Sequence, residues 1–180
     1  LPISILYAMH TLSRGTLNLT AQMPPLGEKE SKQLRLDAKD AKGNWQKTGH
    51  AIIDPISSTA TFGIERWHDT RDVPYRIAFQ DRKRDGSVKE KYFEGIIRKD
   101  PKEKKEIVVA GFTGNKDTAF PNAKLVKNVG IVNPDVLFFS GDQIYEDVGG
   151  YGIHRNPVDL AVVNYLRKIY LWGWAFRDLM

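Results

Sequence analysis

The sequence predicts an antiparallel β-sandwich over residues 1–100, followed by the first βαβ part of an α/β domain over residues 105–180. Three observations support this division. Short runs of alternating polar and apolar residues fill residues 15–100, which is typical of half-buried strands. A charged segment containing Pro101 then interrupts the pattern. After this segment, continuous apolar runs replace the alternation, which is typical of buried parallel strands.

Composition excludes several functional classes. Among the 180 residues, 41% are hydrophobic and 27% are charged, as expected of a globular protein. The net charge of +5 comes without a dense basic stripe interleaved with aromatic residues, so no nucleic-acid-specific binding is predicted. The absence of cysteine excludes disulfides, thiolate metal sites and a cysteine nucleophile. No apolar run approaches the ~20 residues that a spanning helix needs, so no membrane span is predicted.

Four alternating runs and one hairpin make up the predicted sandwich. The runs cover residues 16–21, 33–38, 45–54 and 59–67, and the breaks between them contain Pro, Gly, Asn and Asp. The hairpin pairs residues 75–79 with 91–97 around an Asp85-Gly86 turn. Strands of this length and spacing predict an immunoglobulin- or fibronectin III-like module.

The second region reads as strand, helix and strand. Residues 106–112 predict a buried strand, 121–132 a helix and 136–139 a second buried strand, which together form a right-handed βαβ unit. The loops at 113–117 and 141–146 therefore leave the same edge of a parallel pair. In open α/β sheets, this edge is where ligands and metals bind.

Oxygen donors are concentrated in these two loops. They are Asn115, Asp117, Asp142, Tyr145, Glu146 and Asp147. Clustered oxygen ligands are typical of sites for hard or borderline metal ions. Gly141 permits a sharp turn that would direct Asp142 away from the sheet. An aspartate after a strand equally often caps a turn, so a purely structural role stays open at this point.

The string Pro-Asp-Val-Leu-Phe-Phe-Ser-Gly-Asp-Gln-Ile-Tyr-Glu at 134–146 resembles the second motif block of calcineurin-like metallophosphoesterases. Its Gly-Asp-x-x-Tyr-Glu form is similar to the PhoD-like alkaline phosphatase and phosphodiesterase branch. The Tyr-Arg run at 72–79 and the helix at 165–170 agree with the N-terminal half of that family. The resemblance implies a phosphate ester hydrolase that uses a dinuclear metal centre, with Fe and Ca, Mn or Zn. It also implies a secreted or periplasmic protein.

The resemblance assigns roles to four residues. Asp142 corresponds to the carboxylate that bridges the two metal ions, and Tyr145 to the phenol that binds ferric iron. Asn115 stands where the family usually has an acidic or thiolate ligand, and Asp117 is the substitute candidate. His154 is predicted to contact the phosphate or the leaving group on a separate ground, because it follows a glycine-rich loop. Asp142 and His154 are therefore the predicted catalytic residues.

The family's later ligand blocks do not occur in this sequence. The helical pattern at 158–180 also ends without a capping signal, so the rest of the catalytic domain is expected after Met180. On this interpretation the fragment alone is incomplete and inactive. The alternative is a non-catalytic β-sandwich module for binding or adhesion, with a degenerate metallophosphatase segment. The neutral amide at Asn115 favours that alternative.

Overall fold

The computed structural model describes residues 4–83, 85–148 and 152–180. The chain divides into two compact units, Leu1–Lys102 and Glu103–Met180.

Two antiparallel sheets build the first unit. Its strands are β1 (Tyr7–Ser13), β2 (Thr16–Gln22), β3 (Gln33–Lys39), β4 (Trp45–Ile52), β5 (Thr59–Ile64), β6 (Val73–Arg82) and β7 (Val88–Ile97). One sheet has the order β1-β2-β5 and the other the order β4-β3-β6-β7. The buried residues of both sheets form one hydrophobic core, which includes Leu17, Leu19, Phe62, Leu36, Ile77 and Phe79. The predicted antiparallel sandwich is confirmed.

Strand β1 is the element that the sequence did not predict. Its first two residues, Tyr7 and Ala8, are both buried, so the alternation that marks the other strands is absent there. The turn between β1 and β2 does carry a signal. Arg14 and Gly15 both have positive φ, 51° and 73°, as a two-residue hairpin turn of type I′ requires.

Tyr75 on β6 packs directly over Gly95 on β7. The two residues are cross-strand partners, and the Tyr75 ring is 2% exposed. A Cβ atom added at Gly95 would lie 2.6 Å from Cε1 of that ring. Burial raises the pKa of the Tyr75 phenol to about 12. Glycine at position 95 therefore leaves the space that the aromatic side chain fills.

Gly95→Ala should destabilise the protein by about 1–3 kcal/mol, because the new methyl group overpacks a buried, rigid ring. Gly63→Ala is the matched control, since its nearest neighbour is Asn18 Oδ1 at 3.6 Å from the added Cβ. Urea denaturation followed by circular dichroism would measure both variants. Equal stability of the two variants would contradict the packing argument.

A buried carboxylate organises the outer side of the four-stranded sheet. The Asp37 side chain is 3% exposed and accepts hydrogen bonds from Nε of Arg35 at 2.7 Å and Nε of Arg76 at 2.9 Å. Burial alone would raise the pKa of Asp37, but the two guanidinium groups hold it below its usual range. Arg35 also binds Glu90 at 2.7 Å, and this bond, with one from Tyr92, lowers the pKa of Glu90.

The same Arg76 guanidinium lies between two aromatic rings. Its Cζ is 4.5 Å from the ring centroid of Trp45 and 4.3 Å from that of Tyr92. Such stacking is favourable for a planar, weakly hydrated cation. Side chains from all four strands of this sheet therefore meet in one polar and aromatic network.

This network should make stability depend on pH below neutrality. The folded pKa values of Asp37 and Glu90 lie below their unfolded values, so their contribution is present above about pH 4 and is lost as pH falls further. Asp37→Asn should cost about 1.5–3 kcal/mol at pH 7 and flatten this dependence. Urea unfolding at several pH values would measure how the free energy of unfolding depends on pH, with the exposed Glu65→Gln as control. An unchanged slope in Asp37→Asn would contradict the assignment.

The second unit contains β8 (Val109–Thr113), α1 (Ala123–Val132), β9 (Val136–Gly141) and α2 (Val158–Phe176), with a 3-10 turn at Asp117–Ala119. Strands β8 and β9 form a parallel pair. Strand β8 begins three residues later than predicted. The reason is local, because the Val108 N–H donates to the Asp135 carboxylate at 3.1 Å, and Lys104 binds the same carboxylate at 2.6 Å. Helix α1 begins two residues later than predicted.

An aromatic cluster covers one side of the parallel pair. The rings of Phe112 and Phe139 stack with their centroids 4.7 Å apart, and Trp172 and Phe176 of α2 contact them edge-on. The Trp172 and Phe176 rings are tilted against each other. The alternate positions of both strands point away from this cluster. Among the described residues, no helix combines the length and hydropathy of a membrane span.

Candidate functional site

A bulge sets the geometry at the carboxyl end of the parallel pair. Phe112 pairs with Phe139, but Thr113 pairs with Gly141, so Ser140 is an extra residue in β9. The Ser140 hydroxyl donates to the Phe112 carbonyl at 3.1 Å. Bulges of this kind often lie beside functional sites and change the direction of the following side chains. Here the bulge brings the end of β9 level with the end of β8.

The chain then turns sharply into the loop. Gly141 has φ +147° and Asp142 has φ +54°, and both are conformations that L side chains rarely adopt. No atom would lie within 4 Å of a Cβ at Gly141, so glycine is required for its backbone and not for space. The Asn115 N–H donates to the Asp142 carbonyl at 3.1 Å, which joins the loop after β8 to the loop after β9.

Tyr145 returns towards the exposed Asp142 side chain. Its hydroxyl donates to Asp142 Oδ2 at 3.2 Å. Burial of the phenol, followed by the hydrogen bond and charge of Asp142, raises the pKa of Tyr145. The Lys116 ammonium lies 5.3 Å from the centroid of the Tyr145 ring. The structure therefore brings together Asn115, Asp142 and Tyr145, with a lysine beside them that the sequence had not singled out.

Asp117 and His154 are placed differently. Asp117 begins the 3-10 turn, and its Oδ1 atom is buried without a hydrogen-bond partner among the described residues. His154 is half-buried, and positions 149–151 of the glycine-rich loop before it lie outside the described residues. Within the described part of the chain, no hydrogen bond joins Asp117 or His154 to Asp142. An unsatisfied buried oxygen such as that of Asp117 is an atom that a water or a cation could satisfy.

The oxygen donors near the end of β9 are of the kinds that bind hard or borderline cations. Asp142, Tyr145 and Asp117 supply a carboxylate, a phenol and an unsatisfied oxygen, which are suitable ligands for a hard or borderline cation. Two cations need more ligands than these. Over residues 4–83, 85–148 and 152–180, no three His, Asp or Glu side chains group closely enough to hold a metal.

Glu146 does not join the oxygen donors around Asp142. Its carboxylate accepts hydrogen bonds from the hydroxyl of Tyr165 on α2 and from Arg155 at 3.2 Å. These two bonds, that of Tyr165 first, lower the pKa of Glu146. Glu146 therefore connects the loop to α2.

Sequence reasoning missed Lys168. Its ammonium donates to the carbonyl of Tyr145 at 2.8 Å and to the carbonyl of Glu146. The signal was present in α2, where Asn164, Lys168 and Trp172 follow one another at intervals of four and are all buried. A lysine on an otherwise buried helical face needs a specific partner.

No protein-family model matches the chain, and no curated protein matches it. Its function must therefore be argued from the geometry of the site and from the motif at 134–146.

Gly141→Ala should destabilise the second unit by about 1–3 kcal/mol, because alanine at this positive φ is strained even in open space. Gly111→Ala is the matched control, since it lies in the adjacent strand with equally open space and no positive φ. Amide exchange at Asn115, whose N–H depends on the Asp142 carbonyl, should accelerate only in Gly141→Ala. Equal exchange in both variants would show that the glycine conformation does not hold the turn.

Proposed function

We propose that this chain is the N-terminal half of a metal-dependent phosphate ester hydrolase of the PhoD-like type, a phosphomonoesterase or phosphodiesterase. One observation carries the proposal. At the end of β9, the Asp142 carboxylate and the Tyr145 hydroxyl lie 3.2 Å apart, in a loop that is hydrogen-bonded to Asn115 across the parallel pair. These are the residues to which the motif resemblance assigns the bridging carboxylate and the ferric ligand.

The chain's own residues would hold and orient the reacting groups. Asp142 and Tyr145 would bind metal, while Asn115 offers a weaker, neutral ligand and Asp117 a buried carboxylate oxygen. When bound, a metal pair would polarise the phosphate ester and lower the pKa of the attacking water. Lys116, beside Tyr145, would attract the anionic ester to this edge.

The proposal extends to the parts outside this site. The strand orders β1-β2-β5 and β4-β3-β6-β7 support a fibronectin III-like N-terminal module. The missing ligands, an Asn- or Asp-His block and paired histidines, would follow Met180. His154 would contact the substrate, and export to the periplasm or the medium stays a prediction of the family resemblance.

Titration with ferric iron would test the metal-binding edge directly. A phenolate bound to ferric iron gives a visible charge-transfer band, which Tyr145→Phe should abolish. Asp142→Ala should weaken iron binding by about 100-fold or more, because loss of outer ligands alone costs about 10–100-fold. The control is Asp159→Asn, which changes an exposed carboxylate in the first turn of α2. It should leave the charge-transfer band and the affinity for iron unchanged. A band that survives in Tyr145→Phe would contradict the proposed ligand.

Turnover is the second test. The protein extended beyond Met180 should hydrolyse p-nitrophenyl phosphate or its bis ester with added Fe, Ca, Mn or Zn, and Asp142→Ala should remove this activity. Unchanged turnover in Asp142→Ala would exclude the bridging role.

The second candidate function is a non-catalytic β-sandwich module for binding or adhesion. It is favoured by the small number of metal donors that the described residues bring together. A chain that binds neither iron nor another of these metals, and whose coding sequence lacks the later histidine blocks, would establish it over the enzyme.

A further inference from the structure

We infer that Lys168 is a positioning residue, which anchors the loop that carries Asp142 and Tyr145 to helix α2. The inference deepens the proposed function and rests on it for its catalytic meaning. The anchoring itself is a property of the fold and is testable without metal.

Lys168 carries a buried charge. Lys168 lies in the middle of α2 and is only 3% exposed. An ammonium is costly to bury unless hydrogen bonds and countercharge compensate for its lost hydration. Its hydrogen bonds go to the main-chain carbonyls of Tyr145 and Glu146, and the nearby Glu146 carboxylate supplies negative charge. The buried ammonium is therefore stabilised by its hydrogen bonds to the loop backbone.

Helix α2 contacts the loop at two positions. Tyr165 precedes Lys168 by three residues and so lies on the same helical face. Its hydroxyl binds the Glu146 carboxylate, which Arg155 also contacts at 3.2 Å. Main-chain and side-chain bonds thus fix the same short segment, and it cannot shift along the helix without breaking both.

Tyr145 is held at both ends. Its carbonyl accepts from Lys168 at 2.8 Å, while its hydroxyl donates to Asp142 Oδ2 at 3.2 Å. A ligand must stay within about 0.5 Å of its working position, and supporting hydrogen bonds provide that precision. Over the described residues, the hydrogen bonds of Lys168 go to main-chain carbonyls and none goes to Asp142, so its role is to position the ligand and not to react.

Amide exchange of the metal-free chain tests the anchor. Lys168→Met keeps the apolar length of the side chain and removes the ammonium. Exchange of the Asn115 amide, whose N–H donates to the Asp142 carbonyl of this loop, should then accelerate by about 10–100-fold, as expected for lost hydrogen bonds to a charged group, while the amides within β8 and β9 stay unchanged. Lys124→Met, an exposed lysine on α1, is the matched control and should behave as the wild type. Unchanged exchange in a folded Lys168→Met would overturn the inference.

Tyr165→Phe decides the question if Lys168→Met fails to fold. It removes only the hydroxyl that binds Glu146 and keeps the packing of the ring. Exchange of the Asn115 amide should increase by about 3–10-fold, because one hydrogen bond that holds the loop is lost. No increase in this variant would also overturn the inference.

Ferric iron separates the anchor from the proposed function. Iron should bind Lys168→Met about 10–100-fold more weakly than the wild type, as for loss of a supporting partner, with no loss in Lys124→Met. Equal iron binding in Lys168→Met with a loosened loop would overturn the positioning role and leave the proposed function standing. No iron binding by the wild type, with a loosened loop in Lys168→Met, would overturn the proposed function and support the anchor.

Discussion

The parallel pairing of β8 and β9 is the constraint on which the second unit depends. Without the extra residue Ser140, the register of the pair would leave the carboxyl ends of β8 and β9 misaligned. With the bulge, the Asn115 amide meets the Asp142 carbonyl, and the positive φ of Gly141 then directs the chain towards Tyr145. A hydroxyl, a glycine and one main-chain hydrogen bond thus place the Asp142 carboxylate beside the Tyr145 hydroxyl at the end of β9.

The two units bury their apolar side chains in different ways. The sandwich encloses a core between two sheets and stabilises its outer surface with the Asp37 network. The parallel pair has one side packed against α2, while Val109 and Phe138 on the other side are 55% and 57% exposed. Parallel sheets are normally covered on both faces. The stability of the second unit therefore depends on its aromatic cluster and on the hydrogen bonds that α2 makes.

The sequence allowed the sandwich to be predicted because its strands alternate and its turns carry Gly, Pro and Asp. Strand β1 was not predicted, because Tyr7 and Ala8 are buried in succession and break the alternation. The motif indicates which residues the site loops contain, but it does not indicate how those residues are arranged in space. The Ser140 bulge depends on register against another strand, and the partners of Lys168 lie more than twenty residues away. Periodicity describes one segment at a time and does not contain such pairings.

The link between Asn115 and Asp142 has a consequence for how this edge can evolve. The bond uses only the backbone of residue 115, so any side chain except proline could make it. Asn115 Nδ2 is itself buried and without a hydrogen bond among the described residues. Folding thus places little demand on this side chain. Mutation could therefore exchange the amide for a carboxylate or a thiolate here while the strand register persists.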